Sequence, residues 1–169
     1  MRFLSVIALL AATAVANPVA RSTKKEFHLK TTGAAKADFN DLFVITYHTG
    51  AGTNDALLEN KGSIATPFYL NGTTALANLG NVFPWGFEMG GDSNYASWES
   101  VQINAGGGVD GFSIKDGNFV WSEEEGFGGW LVCDWYHNAP QLFWWDKYYP
   151  PTIPCSCSKV DLKPIYLTQ

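Results

Sequence analysis

Gly111-Phe112-Ser113-Ile114-Lys115-Asp116-Gly117-Asn118-Phe119-Val120-Trp121 is the stretch on which the fold class turns. Asp116-Gly117 suits a two-residue type I′ turn, in which both central residues take positive φ. That turn sets a register. Lys115 stands opposite Asn118, Ile114 opposite Phe119, Ser113 opposite Val120 and Phe112 opposite Trp121. Phe112, Ile114, Phe119 and Trp121 then share one face, while Lys115 and Asn118 take the other. Turn chemistry and burial pattern agree on a β-hairpin.

The same period-two alternation recurs on both sides of this hairpin. Phe27, Leu29 and Thr31 alternate with His28 and Lys30. Residues 41–49 are rich in β-formers and read as a strand buried on both faces at its start. Residues 50–55 read as a loop. Residues 65–70 lead into Asn71-Gly72, a hairpin signal. Further strands are expected over 83–89 and 95–103, followed by a glycine loop at 105–110. Residues 130–136 place Leu131, Cys133 and Trp135 on one face. His137-Asn138-Ala139-Pro140 turns the chain, residues 141–145 return, and 148–154 is irregular. In the closing run Val160 and Leu162 face inward, with Lys159, Asp161 and Lys163 outward. No long 3.6-residue period and no internal repeat occurs in this part of the chain. The expected fold is therefore all-β, a single-domain antiparallel β-sandwich, with a β-barrel as the alternative.

The first residues read differently. Arg2 supplies a positive start, 3–12 is apolar except for Ser5, and Ala14-Val15-Ala16 is a small-x-small cleavage site. This is the pattern of a secretory signal peptide over 1–16. The apolar run is shorter than the ~20 residues a membrane span requires. A flexible segment is expected over 17–26, with Lys24-Lys25 as a dibasic pair, and one domain over 27–169. The expected location is extracellular or in a cell wall.

Export makes a disulfide the expected fate of cysteines. Cys155 and Cys157 are too close to bond readily to each other. Cys133 therefore pairs with one of them. Cys157 is favoured because it opens the run 157–162, which suits a strand beside 130–133; Cys155 is the alternative and otherwise remains an odd thiol.

The formal net charge is −5, and loss of Arg2 with the leader removes one further positive charge and leaves Arg21 as the remaining arginine. Nucleic acid and anionic membrane are thus poor partners. No cofactor or metal site is expected, because three sulfurs without a histidine at zinc-finger spacing do not suit zinc. No G-x-S-x-G occurs; Gly90-Gly91-Asp92-Ser93 lacks the elbow spacing. Neither Asn17 nor Glu26, the residues exposed by cleavage after Ala16 or Lys25, is the histidine a copper oxygenase needs at its N-terminus. The expectation is a protein without an evident catalytic site.

Two constellations remain as candidates. Trp144 and Trp145 point to opposite faces of a strand. One of them, with Tyr148 and Tyr149, makes a carbohydrate-binding platform, because sugar C–H groups fit the negative face of an aromatic ring. Glu88 and Glu99 are the glutamates inside strand-like runs, and a small β-sandwich glycosidase needs two facing carboxylates across a groove. The cluster Glu123-Glu124-Glu125 reads as a solvated acidic loop. Asn71-Gly72-Thr73 is an N-glycosylation sequon placed on a turn.

Several runs together resemble a known family: 47–55, 69–73, 128–135, 139–143 and 157–162. The chain is similar to small secreted fungal proteins whose domain is classed as being of unknown function. A looser likeness, in the Trp-Leu-x-Cys run and the closing cysteine run, is to fungal cell-wall proteins of spore-bearing structures. The resemblance implies a fungal source, secretion and a β-sandwich-like domain, and it carries no catalytic residues. The Cys155-Ser156-Cys157 doublet departs from its single late cysteine. A cell-wall polysaccharide or an extracellular protein is the expected partner of a monomer.

Overall fold

The computed structural model describes residues 24–91, 97–149 and 152–168. The leader over 1–16, the first part of the 17–26 segment, Asp92-Ser93 and Pro150-Pro151 lie outside them. The described residues form twelve strands: β1 (Phe27–Thr32), β2 (Phe43–Gly50), β3 (Thr53–Glu59), β4 (Phe68–Asn71), β5 (Thr74–Ala77), β6 (Trp85–Met89), β7 (Trp98–Ala105), β8 (Ser113–Lys115), β9 (Asn118–Val120), β10 (Phe127–Asp134), β11 (Pro140–Asp146) and β12 (Cys157–Tyr166). Short 3₁₀ turns join some of them, and no α-helix occurs among the described residues.

Ten strands form one antiparallel sheet in the order β10-β12-β1-β2-β3-β11-β7-β6-β5-β4. Its ends do not stay open. β10 also pairs with β11, from Phe127 opposite Asp146 to Asp134 opposite Pro140. β4 reaches β1, where Phe68 stands opposite Phe27. The sheet therefore closes into a barrel, and the expected sandwich gives way to its alternative. The reason is edge pairing: a sandwich leaves the outer strands of both sheets unpaired, whereas closure satisfies them.

Alternation along each strand divides the residues between inside and outside. Phe27 and Leu29, Val44, Ala56 and Leu58, Phe87, Val101 and Ile103, Trp130 and Val132, Leu142, and Leu162 fill the interior. The decisive hairpin, β8–β9, is a separate two-stranded sheet with the expected register, Ser113 opposite Val120, Ile114 opposite Phe119 and Lys115 opposite Asn118. Asp116 and Gly117 both have positive φ, 51° and 75°, as a type I′ turn requires. The hairpin serves the barrel as an aromatic plug. Phe119 stacks on Phe112 at 5.2 Å and on Trp130 at 5.7 Å, and meets Phe87 at 5.5 Å. The Trp130 indole N–H donates to Phe119 O at 2.7 Å and pins the plug to β10.

Three local expectations are corrected. Thr53, Asn54 and Asp55 belong to β3 rather than to a loop, because Ala51-Gly52 alone turns the chain, with Gly52 at φ 75°. The β4–β5 turn centres on Gly72-Thr73, one residue beyond Asn71-Gly72, since Asn71 pairs with Thr74. The start of β2 is buried on one side: Val44 is fully covered, while Phe43 and Ile45 are partly exposed.

On the outside, Leu131, Cys133, Phe143 and Cys157 form a second small apolar cluster, with Trp98, Trp145 and Ile153 against it. Cys133 and Cys157 are directly opposite on β10 and β12, and are bonded, with Cα atoms 4.0 Å apart. The favoured pairing thus holds, and Cys155 is an exposed free thiol.

Candidate functional site

Trp144 and Trp145 take opposite faces, as strand geometry demands. Trp144 enters the core, 5% exposed, and meets Trp121 edge-on at 5.3 Å. Trp145 lies outside, but its ring rests on the backbone of the β10 glycines: a Cβ at Gly128 would stand 2.6 Å from the indole. The Lys159 ammonium sits 4.1 Å from the same ring's centroid. Tyr148 and Tyr149 are exposed, with the Tyr148 hydroxyl donating to Glu124 O at 3.4 Å. One tryptophan is thus internal, as the alternation expects, and the outward one, Trp145, already has the Lys159 ammonium over its ring.

Glu88 and Glu99 are not brought together. Glu88 alternates with the inward Phe87 and Met89 and faces out, opposite Gln102. Glu99 shares the phase of inward Val101 and Ile103, and stands opposite the internal Trp144. The two carboxylates occupy opposite faces of the sheet, which leaves no common groove for a glycosidase pair. Partial burial pushes the Glu88 carboxyl above the usual carboxylate range. Glu124 and Glu125 are exposed in a 3₁₀ turn. Among the described residues, no group of three His, Cys, Asp or Glu side chains is placed to hold a metal ion.

A different constellation assembles on the outer face. The β10–β11 connection runs Trp135-Tyr136-His137-Asn138-Ala139, and His137 and Asn138 are held at φ 67° and 54°. Side chains other than glycine reach this left-handed region at a cost, and such strain persists where the surroundings impose it. Here the His137 imidazole N–H donates to Asp55 Oδ2 at 3.0 Å, and its ring lies on Tyr47 at 4.4 Å. Tyr47 and Asp55 are cross-strand partners on β2 and β3. Gln102 on β7 stands next to Asp55, and Glu88 next to Gln102. The Asn104 side chain donates to Gln102 Oε1 at 3.2 Å.

Aromatic rings continue the site in the other direction. Trp135 meets Trp98 at 5.3 Å, Phe143 at 5.5 Å and Tyr136 at 5.4 Å, and Tyr136 meets His137 at 6.4 Å. Tyr136 is 70% exposed, Trp135 43% and Tyr47 42%. The result is a strip of rings from Trp98 to Tyr47 that ends beside a row of carboxylate and amide groups. No local sequence signal assembles this strip. Alternation puts Trp135 in phase with Leu131 and Cys133 but does not say that this phase is the outer one. The partner of His137 is Asp55, 82 positions away in sequence, and no local signal announces it; Asp134, three residues before His137, lies 3.9 Å from the Lys36 ammonium.

A second concavity, of about 800 Å³, lies elsewhere, between the β4–β5 hairpin and the 78–84 loop; Lys24, Tyr69, Asn71, Asn78 and Phe83 are on its walls. Lys24 and Lys25, the dibasic pair, hold their ammonium groups 3.9 Å from the rings of Tyr69 and Tyr166.

Fold and site together define the class: a small disulfide-bridged antiparallel β-barrel with an aromatic and polar strip on its outer wall. Within that class, the chain belongs to the family of the domain of unknown function DUF7907, whose model matches residues 24–166. Neither a curated protein nor a solved structure matches the chain.

Proposed function

We infer that this chain is an exported, non-catalytic fungal protein that holds neutral polysaccharide in the cell wall or its surroundings. The binding surface is then the outer strip and not residues 144–149. One observation carries it: exposed rings of Tyr47, Trp135 and Tyr136 run directly into Asp55, Gln102 and Glu88. Aromatic faces accept the apolar C–H side of a sugar, while carboxylates and amides satisfy its hydroxyls. A net charge of −5 favours a neutral polymer over an anionic one. The leader-like start and the disulfide support the extracellular setting.

The test is co-sedimentation of the purified protein with insoluble β-glucan and chitin. The protein should leave the supernatant with one of them, and the Trp135→Ala/Tyr136→Ala variant should bind about tenfold more weakly, ~1.4 kcal/mol. Complete retention of the unaltered protein in the supernatant with both polymers contradicts the reading.

A further inference from the structure

We propose that Asn71 carries an N-linked glycan whose first sugar lies on Tyr69 in the adjoining groove. Three independent features meet at this point. First, Asn71-Gly72-Thr73 is a glycosylation sequon, and all three residues are exposed at the tip of the β4–β5 hairpin. Gly72 has φ 63° and no atom within 4 Å of where a Cβ would stand, so the turn is open to solvent. Secondly, Tyr69 and Asn71 are two apart on β4, while Phe68 and Leu70 pack on the core. They therefore project on the same outer face, with Cα atoms about 6.6 Å apart at ordinary strand rise. A sugar on Asn71 that turns back along the strand meets the Tyr69 ring. Thirdly, both residues line the ~800 Å³ groove, whose opposite wall is the 78–84 loop with Val82 93% and Phe83 67% exposed. Large apolar side chains left this bare on a surface mark a site that something covers.

The chemistry of the groove suits this occupant. The Lys24 ammonium stands 3.9 Å over one face of the Tyr69 ring, and Lys24 is itself exposed, so a sugar would take the place of this solvated ammonium. The C–H face of an N-acetylglucosamine has the same preference for a ring face, more weakly. On the wall, Asn78 donates to Glu26 Oε1 at 2.6 Å and Asn81 Oδ1 accepts from the Trp85 indole at 2.9 Å, so a sugar hydroxyl would share these exposed groups with their protein partners. Attachment itself is a group transfer from a lipid-pyrophosphate-linked oligosaccharide. The Asn71 Nδ2–C1 bond forms, the C1–O bond to pyrophosphate breaks, the lipid pyrophosphate leaves with the electron pair, and one amide proton passes to the transferase base. No oxidation or reduction is involved.

This proposal shares with the proposed function only passage through a secretory route, and the test separates the two. The full chain is expressed in a eukaryotic secretory host in two forms, one with its own leader and one with a leader of the host. Secreted protein from either form should lose mass on peptide-N-glycosidase treatment, with Asp appearing at position 71 in a peptide map, and Asn71→Gln and Thr73→Ala should show no such loss. Secreted, unmodified Asn71 in both forms overturns the site, whatever the polysaccharide result. For the seat on Tyr69, enzymatic removal of the glycan should lower the melting temperature by about 2–4 °C in the unaltered protein and leave Tyr69→Ala unchanged. An equal shift in both overturns the contact with Tyr69.

Discussion

A methyl group at Gly86 would stand 2.2 Å from the Gly108 backbone nitrogen, and one at Gly108 would stand 2.7 Å from Phe87 O. At this crossing the absence of a side chain is a packing requirement. Gly117 differs: nothing lies within 4 Å, and only its φ of 75° favours glycine. Gly86→Ala should therefore cost about 3 kcal/mol through overpacking against backbone, and Gly117→Ala about 1 kcal/mol through left-handed strain. Urea midpoints rank the two, and a larger loss at Gly117 contradicts the assignment. His28 carries a pH dependence. Burial in β1 lowers its pKa from the ordinary 6.5, opposed in part by the negative charge of Glu26. As pH falls below 6.5 the unfolded chain takes up the proton first, so stability drops from there down through the folded value. Above 6.5 the contribution is constant. Replacing His28 with Gln should remove that part of the loss between neutral and acidic urea titrations.

The hairpin of β8 and β9 is the element on which the interior leans. Phe119 touches rings from β1, β6 and β10 as well as Phe112 beside it. Phe119→Ala should cost about 3–5 kcal/mol, measured by chemical denaturation. Reduction of Cys133–Cys157, 24 residues apart in sequence, releases a loop worth about 3 kcal/mol in the chain-entropy model. Denaturation with and without reductant reads it. At this scale the sequence was informative where the signals were local. Asp116-Gly117 specified turn type and register together, and the phases of β1 and β12 followed from alternation. It misled at 53–55, where a glycine-rich approach concealed a two-residue turn, and at Asn71-Gly72, where the glycine occupies the first central position instead of the second.

Closure of the barrel and assembly of the strip belong to the whole molecule. Alternation assigns residues to faces but not strands to neighbours, so sandwich and barrel predict the same buried phases until the pairings of β10 with β11 and of β4 with β1 are seen. The site was hidden for a related reason. Tyr47, Asp55, Trp98, Gln102 and His137 come from β2, β3, β7 and the connection before β11, and only the strand order β2-β3-β11-β7, which alternation does not give, makes them adjacent. The Trp144-Trp145 pair stands out in the sequence because its aromatics are contiguous, yet that contiguity is what sends one ring into the core. The most direct test of the account is amide chemical-shift mapping during titration with soluble β-glucan and chitin oligosaccharides. Shifts concentrated at residues 47, 55, 98, 102 and 135–137 are the predicted result. Saturating oligosaccharide with no shifts, or shifts centred on residues 145–149 instead, would contradict it.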